Sequence, residues 1–295
     1  MFKPGIYAAL VTPYTVDGEV DYMELKKMTR HLINQGLEGM YVCGSTGEAF
    51  MLNLEERKKV LEAVIEENKG ETTIVCHCGC ISTKEMVELA KHAEQAGADA
   101  VSSVPPFYYK FTQEEIVTYY IDLANAVEVP VIVYNFPAFS GVSFTMEMFE
   151  RLFSAKSNLC ALKHTSFDFY TLERIKDKYP NVTIFNGHDE VSLSGLAIGA
   201  DGAIGSTFNA IPKVYLKIRE SVENKDMEGA RKAQKDANDF IDVLLKYGGI
   251  QVIKEFMTHY GFNGNGTRKP FLPISEEGKV AVKSLYEYYR ANYDL

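Results

Sequence analysis

Nothing in this 295-residue chain is apolar for long enough to cross a bilayer, and the opening Met1-Phe2-Lys3-Pro4-Gly5 has no signal-peptide apolar region. A cytoplasmic protein without a membrane partner is therefore expected. Positive charge is short as well: 31 Lys and Arg face 40 Asp and Glu, a formal charge of −9. That balance argues against nucleic acid or anionic lipid as partners, and an anionic substrate would need local backbone donors instead of a global positive field. The cysteines are five, an odd number, and no structural disulfide is expected in a reducing compartment. Cys76-His77-Cys78-Gly79-Cys80 looks metal-like. Zinc sites, however, usually space their cysteines across a turn, whereas strand alternation puts these three thiols on one face. No metal is assigned. Also missing are a linker rich in Pro, Ser or Gly and a glycine-rich phosphate fingerprint after the first strand. Their absence disfavours an independent second domain and a doubly wound sheet.

What remains has the composition of a soluble globular chain with a substantial core, 46% hydrophobic and 24% charged. Strand-like runs alternate with amphipathic segments. Ile6–Pro13 precedes Asp21–Gln35, Gly39–Gly44 precedes Leu54–Asn68, and Thr73–Gly79 precedes Thr83–Ala96. Ala100–Phe107 is followed by Gln113–Val127, Pro130–Pro137 by Thr145–Ser154, and Leu159–Thr165 by Tyr170–Tyr179. Val182–Gly187 leads to Val191–Ile198, and Gly202–Thr207 to Lys213–Glu223. About eight βα units predict an α/β protein with the (β/α)8 TIM barrel fold over residues 1–223. Ser82-Thr83-Lys84-Glu85 reads as a helix start, and Gly36 and Gly97 as helix ends. Residues 224–295 carry three further helical patterns, Asp226–Tyr247, Ile250–Tyr260 and Glu276–Ala291, expected as a C-terminal extension packed on the barrel.

Barrel enzymes gather their sites at the carboxyl ends of the strands. Here those ends supply Ser45-Thr46, Tyr108-Tyr109, Tyr134, Lys163 with Thr165, Gly187-His188-Asp189-Glu190, and Ser206-Thr207. A lysine after a strand ordinarily snorkels to the surface. Lys163 instead continues the apolar run Leu159-Cys160-Ala161-Leu162 and is followed by hydroxyls, so it reads as a buried amine. Burial disfavours the ammonium, and a neutral amine can attack a carbonyl to form a Schiff base. Gly44-Ser45-Thr46-Gly47-Glu48 is read either as a tight turn with a helix cap or as backbone donors aimed at a carboxylate. Tyr134 is either a core tyrosine or a site phenol, and Asp189-Glu190 are first-turn acids or ligands for hydroxyls. His77, His164 and His188 are read as structural or as supports for the residues of the site.

Gly44-Ser45-Thr46-Gly47-Glu48, Tyr134-Asn135-Phe136-Pro137 and the Lys163 strand together resemble the N-acetylneuraminate lyase / dihydrodipicolinate synthase superfamily of class I aldolases, over essentially the whole chain. The Gly-Ser-Thr-Gly-Glu loop, Asn186-Gly187-His188-Asp189-Glu190 and Ile204-Gly205-Ser206-Thr207-Phe208-Asn209 are like the lyase branch. Phe139 stands where the synthase branch places a carboxylate-binding arginine. The chain departs from the pattern at Cys43, Pro105 and His188. The resemblance implies a sialic acid substrate cleaved reversibly to pyruvate and N-acetylmannosamine, with no cofactor. It implies Lys163 as the Schiff-base amine, Tyr134 handling the C4-hydroxyl proton, and Ser45 and Thr46 holding the substrate carboxylate. Thr165, Gly187, Asp189, Glu190 and Ser206 would bind hydroxyls along the sugar. It further implies a homotetramer built as a dimer of dimers, with Tyr108 reaching Tyr134 across the tight interface. Competing readings are a 2-keto-3-deoxy sugar acid aldolase, a dihydrodipicolinate synthase, and a non-catalytic sialic acid or pyruvate sensor.

Overall fold

Side-chain alternation decides what each strand contributes, because a residue and its neighbour face opposite sides. In the computed structural model, which describes residues 3–293 and 295, eight parallel strands pair in chain order and close into a barrel. Met1 and Phe2, at the head of the stretch read for a signal peptide, and Asp294, near the end of the expected extension, lie outside the described residues. The first half runs β1 (Ile6–Ala9), α1 (Tyr22–Asn34), β2 (Gly39–Val42), α2 (Leu54–Asn68), β3 (Thr73–His77), α3 (Thr83–Ala96), β4 (Ala100–Ser103) and α4 (Gln113–Ala126). Next come β5 (Val131–Asn135), α5 (Pro137–Ser140), α6 (Met146–Ala155), β6 (Leu159–His164), α7 (Phe169–Lys178) and β7 (Thr183–Asn186). α8 (Ser192–Ile198), β8 (Gly202–Gly205) and α9 (Pro212–Glu223) complete the barrel. This is the (β/α)8 architecture expected from the alternation.

Tyr7, Tyr41, Val75, Ile132, Tyr134, Ala161, Phe185 and Ile204 point inward and fill the barrel. Their neighbours Ala8, Met40, Val42, Ile74, Val101, Val133, Leu162 and Ile184 point outward into the larger core beneath the helices. There they meet leucines such as Leu25, Leu61, Leu123 and Leu172, all buried. Each such side chain contributes about 1.5–3 kcal/mol relative to leaving it in water. Cys76 and Cys78 belong to this outer layer. β3 ends at His77, so Cys80 lies beyond the strand, where its Sγ accepts a hydrogen bond from Arg57 at 3.4 Å.

Local signals set the boundaries. Asn53 with Glu56, and Thr112 with Glu115, form reciprocal caps at the starts of α2 and α4. Ser82 begins α3 as expected but makes no capping bond through its side chain; its carbonyl accepts the N–H of Met86 instead. Gly36 and Gly97 take φ of 88° and 98° past the ends of α1 and α3. The strands are shorter than the apolar runs, since pairing stops where the chain turns into the mouth of the barrel. The unanticipated α5 begins on Pro137 at its first position and ends on Gly141, with φ 69°.

The carboxy-terminal helices α10 (Met227–Tyr247), α11 (Gly249–Thr258) and α12 (Glu276–Asn292) follow the expected pattern closely. α10 packs against α9, and Phe240 meets Phe256 of α11 and Tyr289 of α12 edge to face, at 5.3 Å and 6.1 Å between ring centroids. Among the described residues no helix is long and apolar enough to cross a membrane.

Candidate active site

Lys163 is an inward residue at the carboxyl half of β6, and the register sets it beside Tyr134 on β5 and Phe185 on β7. Its Nζ lies 4.2 Å from the ring centroid of Tyr134 and 4.3 Å from that of Tyr41. Only 4% of the residue is exposed. Burial pushes its pKa from 10.5 down to about 7, with the carboxylate of Asp189 pulling the other way. Near neutral pH a large fraction of this amine is therefore unprotonated and nucleophilic. Burial also raises the Tyr134 phenol well above its usual value, opposed by the nearby hydroxyls of Thr165 and Ser45. The Tyr134 phenol is thus neutral and lies near Ser45, Thr165 and Asp189, which follow β2, β6 and β7. Thr165 Oγ1 is buried and faces the Tyr134 hydroxyl.

The Ser45 loop is bracketed by two non-glycine residues with left-handed backbone, Cys43 at φ 57° and Glu48 at φ 56°. Such positions cost about 1–2 kcal/mol each and persist where the surroundings enforce them. Here Glu48 N–H donates to Ser45 O at 3.0 Å, and Thr12 Oγ1 donates to Gly47 O at 2.8 Å. Thr46 is buried and Ser45 half-buried. Ser45 lines a cavity of about 300 Å³ walled by Phe50, Val104, Phe107, Phe136, Phe139 and Phe271. Phe139, carried by α5, leans on Phe136 at 4.4 Å between ring centroids.

On the far side of the mouth, Asp189 is buried and its Oδ2 accepts Thr207 N–H at 2.8 Å, Thr207 Oγ1 at 2.7 Å and Ser206 Oγ at 3.2 Å. Burial raises its pKa, and the Thr207 bonds oppose that rise. Asp189 therefore organises the loop after β8 as well as facing the lysine. Gly187 is required by contact: a Cβ there would lie 1.9 Å from Thr165 Oγ1. Glu190 pairs with His188 Nδ1 at 3.1 Å. Burial pushes the Glu190 carboxyl up, but hydrogen bonds from His188 and from the backbone, with His188 nearby, outweigh it and leave the pKa lowered. The His188 ring stacks on Phe167 at 4.3 Å, forming an aromatic wall with Phe136.

The structure thus gathers Lys163, Tyr134, Ser45, Thr165 and Asp189 at one mouth, with Gly187, Glu190 and Ser206 on its rim. Tyr108 stands apart, 85% exposed on the loop after β4 with φ 75° and its ring against Tyr109. Sequence reasoning missed Tyr41, although strand alternation with Gly39 and Met40 could have turned it inward. His77, read from the sequence as structural or supporting, packs its ring 6.3 Å from that of Tyr134. His77 is buried, and burial drives its pKa well down, so its ring is neutral. Val104 N–H donates to Nε2 at 3.2 Å, which leaves Nδ1–H to donate to Cys43 O at 2.9 Å. It thereby ties the ends of β2, β3 and β4 together without adding a second cation near Lys163. A larger cleft of about 720 Å³ lies elsewhere, between α9 and α10 beside Glu38, and contains none of the expected site residues.

The chain is similar to known proteins over nearly its whole length. The model of the dihydrodipicolinate synthetase family matches residues 3–288. N-acetylneuraminate lyase 2 of Escherichia coli O6:H1 is 41% identical over 285 residues, covering 96% of this chain and 93% of that protein. The crystal structure of CdNal from Clostridium difficile in complex with mannosamine superposes with a TM-score of 0.95 at 37% identity, covering 98% of this chain and 100% of that one. The sialic acid aldolase of Ruminococcus gnavus, solved as a catalytic lysine mutant, gives 0.94 at 31% identity, covering 98% and 96%.

Proposed function

The chain belongs to the dihydrodipicolinate synthetase family, and from that premise we propose that it is a class I aldolase cleaving N-acetylneuraminate reversibly to pyruvate and N-acetyl-D-mannosamine. The observation that carries the reading is Lys163, a buried amine with its pKa near 7, held between two tyrosines at the carboxyl end of the barrel. Its neutral form attacks C2 of the open-chain keto acid and loses water to give an iminium. The C4 hydroxyl gives up its proton, the C3–C4 electron pair moves into the iminium, and N-acetylmannosamine leaves as the aldehyde. The enamine then takes a proton at C3, and water releases pyruvate and the free amine. The iminium supplies the electrophile, so this cycle requires no metal or organic cofactor.

Tyr134 handles the C4 proton. Its raised pKa makes a relay through the substrate carboxylate a better route than a free phenolate. Ser45 and Thr46 hold that carboxylate, and Thr165, Gly187, Asp189, Glu190 and Ser206 bind the hydroxyls of the sugar arm. Phe139 on the cavity wall offers no charge to the second carboxylate that a synthase product carries, which supports the lyase reading over the synthase. We further propose a cytoplasmic homotetramer, a dimer of dimers, with Tyr108 reaching Tyr134 of a neighbouring copy. Its exposure on this chain is compatible with such a role.

Pyruvate release from N-acetylneuraminate, coupled to lactate dehydrogenase, tests the activity. Release that depends on Lys163 supports it. Turnover of a 2-keto-3-deoxy sugar acid, or of pyruvate with aspartate semialdehyde, in preference to N-acetylneuraminate would overturn the substrate. No turnover together with retained sugar binding would mark a sensor.

A further inference from the structure

The proposed reaction makes no use of a buried ion pair that joins the carboxylate loop to the far end of the chain. Glu48 closes the Ser45-Thr46-Gly47 turn, and its carboxylate is fully buried. Glu48 Oε1 lies 2.5 Å from Nζ of Lys254 on α11, 206 residues away, and that side chain is 5% exposed. Glu48 Oε2 accepts the backbone N–H of Arg268 at 2.9 Å. Lys254 also donates to Gly266 O at 2.8 Å. The rings and charges stack in order: the Tyr14 ring lies 4.2 Å from Lys254 Nζ and 4.8 Å from the Arg268 guanidinium carbon. Arg268 then pairs with Glu56 in the first turn of α2 and donates to Gly18 O at 3.0 Å and Met51 O at 2.9 Å. Asn265 Nδ2 donates to Tyr14 O at 2.9 Å.

The carboxyl end of the loop is therefore held by one segment of the C-terminal extension, residues 254–268. Resting on the aldolase reading, we propose that Lys254 and Arg268 are positioning residues for pyruvate and keto-acid binding: through Glu48 they set the left-handed turn that aims Ser45 and Thr46 at the substrate carboxylate. A left-handed glutamate persists only where its surroundings enforce it, and a buried carboxylate is enforced by its partner. Removing the partner alone leaves an uncompensated charge. The two charges must therefore be removed together.

The test is borohydride trapping of the pyruvate imine across a range of pyruvate concentrations, on the full-length protein. Glu48→Gln/Lys254→Met neutralises the pair at nearly constant shape. Its half-saturating pyruvate should rise about tenfold or more, while kcat on N-acetylneuraminate stays within about threefold, because small misplacements of positioning groups act on binding geometry. Asp201→Asn breaks the Lys176–Asp201 ion pair before β8, far from the loop. It should lower the melting temperature and leave half-saturation unchanged. If the double variant does not fold, Glu56→Gln/Arg268→Met serves instead: it removes the neighbouring pair together, frees Met51 O and loosens the segment whose N–H holds Glu48, and should raise half-saturation about threefold. An unchanged value in a folded loop variant, or an equal rise in Asp201→Asn, overturns the proposal. Failure of the native protein to trap pyruvate at all would overturn the aldolase reading instead.

Discussion

Replacing Lys163 with methionine should abolish imine formation and yet make the protein more stable. The folded lysine titrates at about 7, against 10.5 for an ordinary one. Each tenfold change in a protonation equilibrium is worth about 1.4 kcal/mol, so keeping the ammonium inside the barrel costs about 5 kcal/mol below pH 7. The sign follows from proton counting. Between pH 7 and 10.5 the unfolded chain holds the proton and the folded chain does not, so stability rises with pH across that window. Below it both hold the proton and the full cost remains. Methionine has similar length and no charge, and keeps its contacts with Tyr41 and Tyr134. That figure is already net of the cation's attraction to the two rings, so the gain is about 4–5 kcal/mol at pH 6 and falls to about 1 kcal/mol at pH 10. Urea unfolding of both proteins, followed by circular dichroism at pH 6 and pH 10, reads this directly. The variant midpoint should be higher at pH 6, with the gap nearly closed at pH 10. A variant less stable at pH 6, or a gap that ignores pH, would refute burial as the origin of the amine's reactivity.

Borohydride with pyruvate should attach one adduct per chain at Lys163, and Lys163→Arg should form none; peptide mapping that finds the label on another lysine would move the nucleophile. Tyr134→Phe should lose about 10²–10⁴-fold in kcat while still trapping pyruvate, as expected of a proton carrier, and a loss of trapping would make it structural. Glu190→Gln should lower kcat/KM for N-acetylneuraminate at least about tenfold with imine formation intact, since hydrogen bonds to a charged group are worth about 1.5–3 kcal/mol. Asp189→Asn should show that loss together with a lower melting temperature, because its Oδ2 also holds Ser206 and Thr207. Mixing Lys163→Ala with Tyr108→Phe chains after dissociation should restore up to about a quarter of native activity in a two-fold dimer, provided Tyr108→Phe alone is strongly impaired; no recovery would place Tyr108 in its own chain's site.

The sequence by itself determined the eightfold alternation, the three carboxy-terminal helices and the strand that delivers Lys163. All of these are encoded in local periodicity: alternation within strands and a 3.6-residue repeat within helices. It also singled out Ser45, Tyr134, Thr165 and Asp189, because polar residues ending apolar strands are conspicuous. Only the tertiary structure decided what surrounds them. Tyr41 became the second wall of the lysine because β2 and β6 face each other across a closed barrel. Asp189 turned out to bind the β8 loop, since its partners lie 17 and 18 residues away. Lys254 and Glu48 are separated by 206 residues and meet only when the tail folds back. Burial does the rest: an amine's pKa depends on the water it has lost, and that loss is a property of the packed whole.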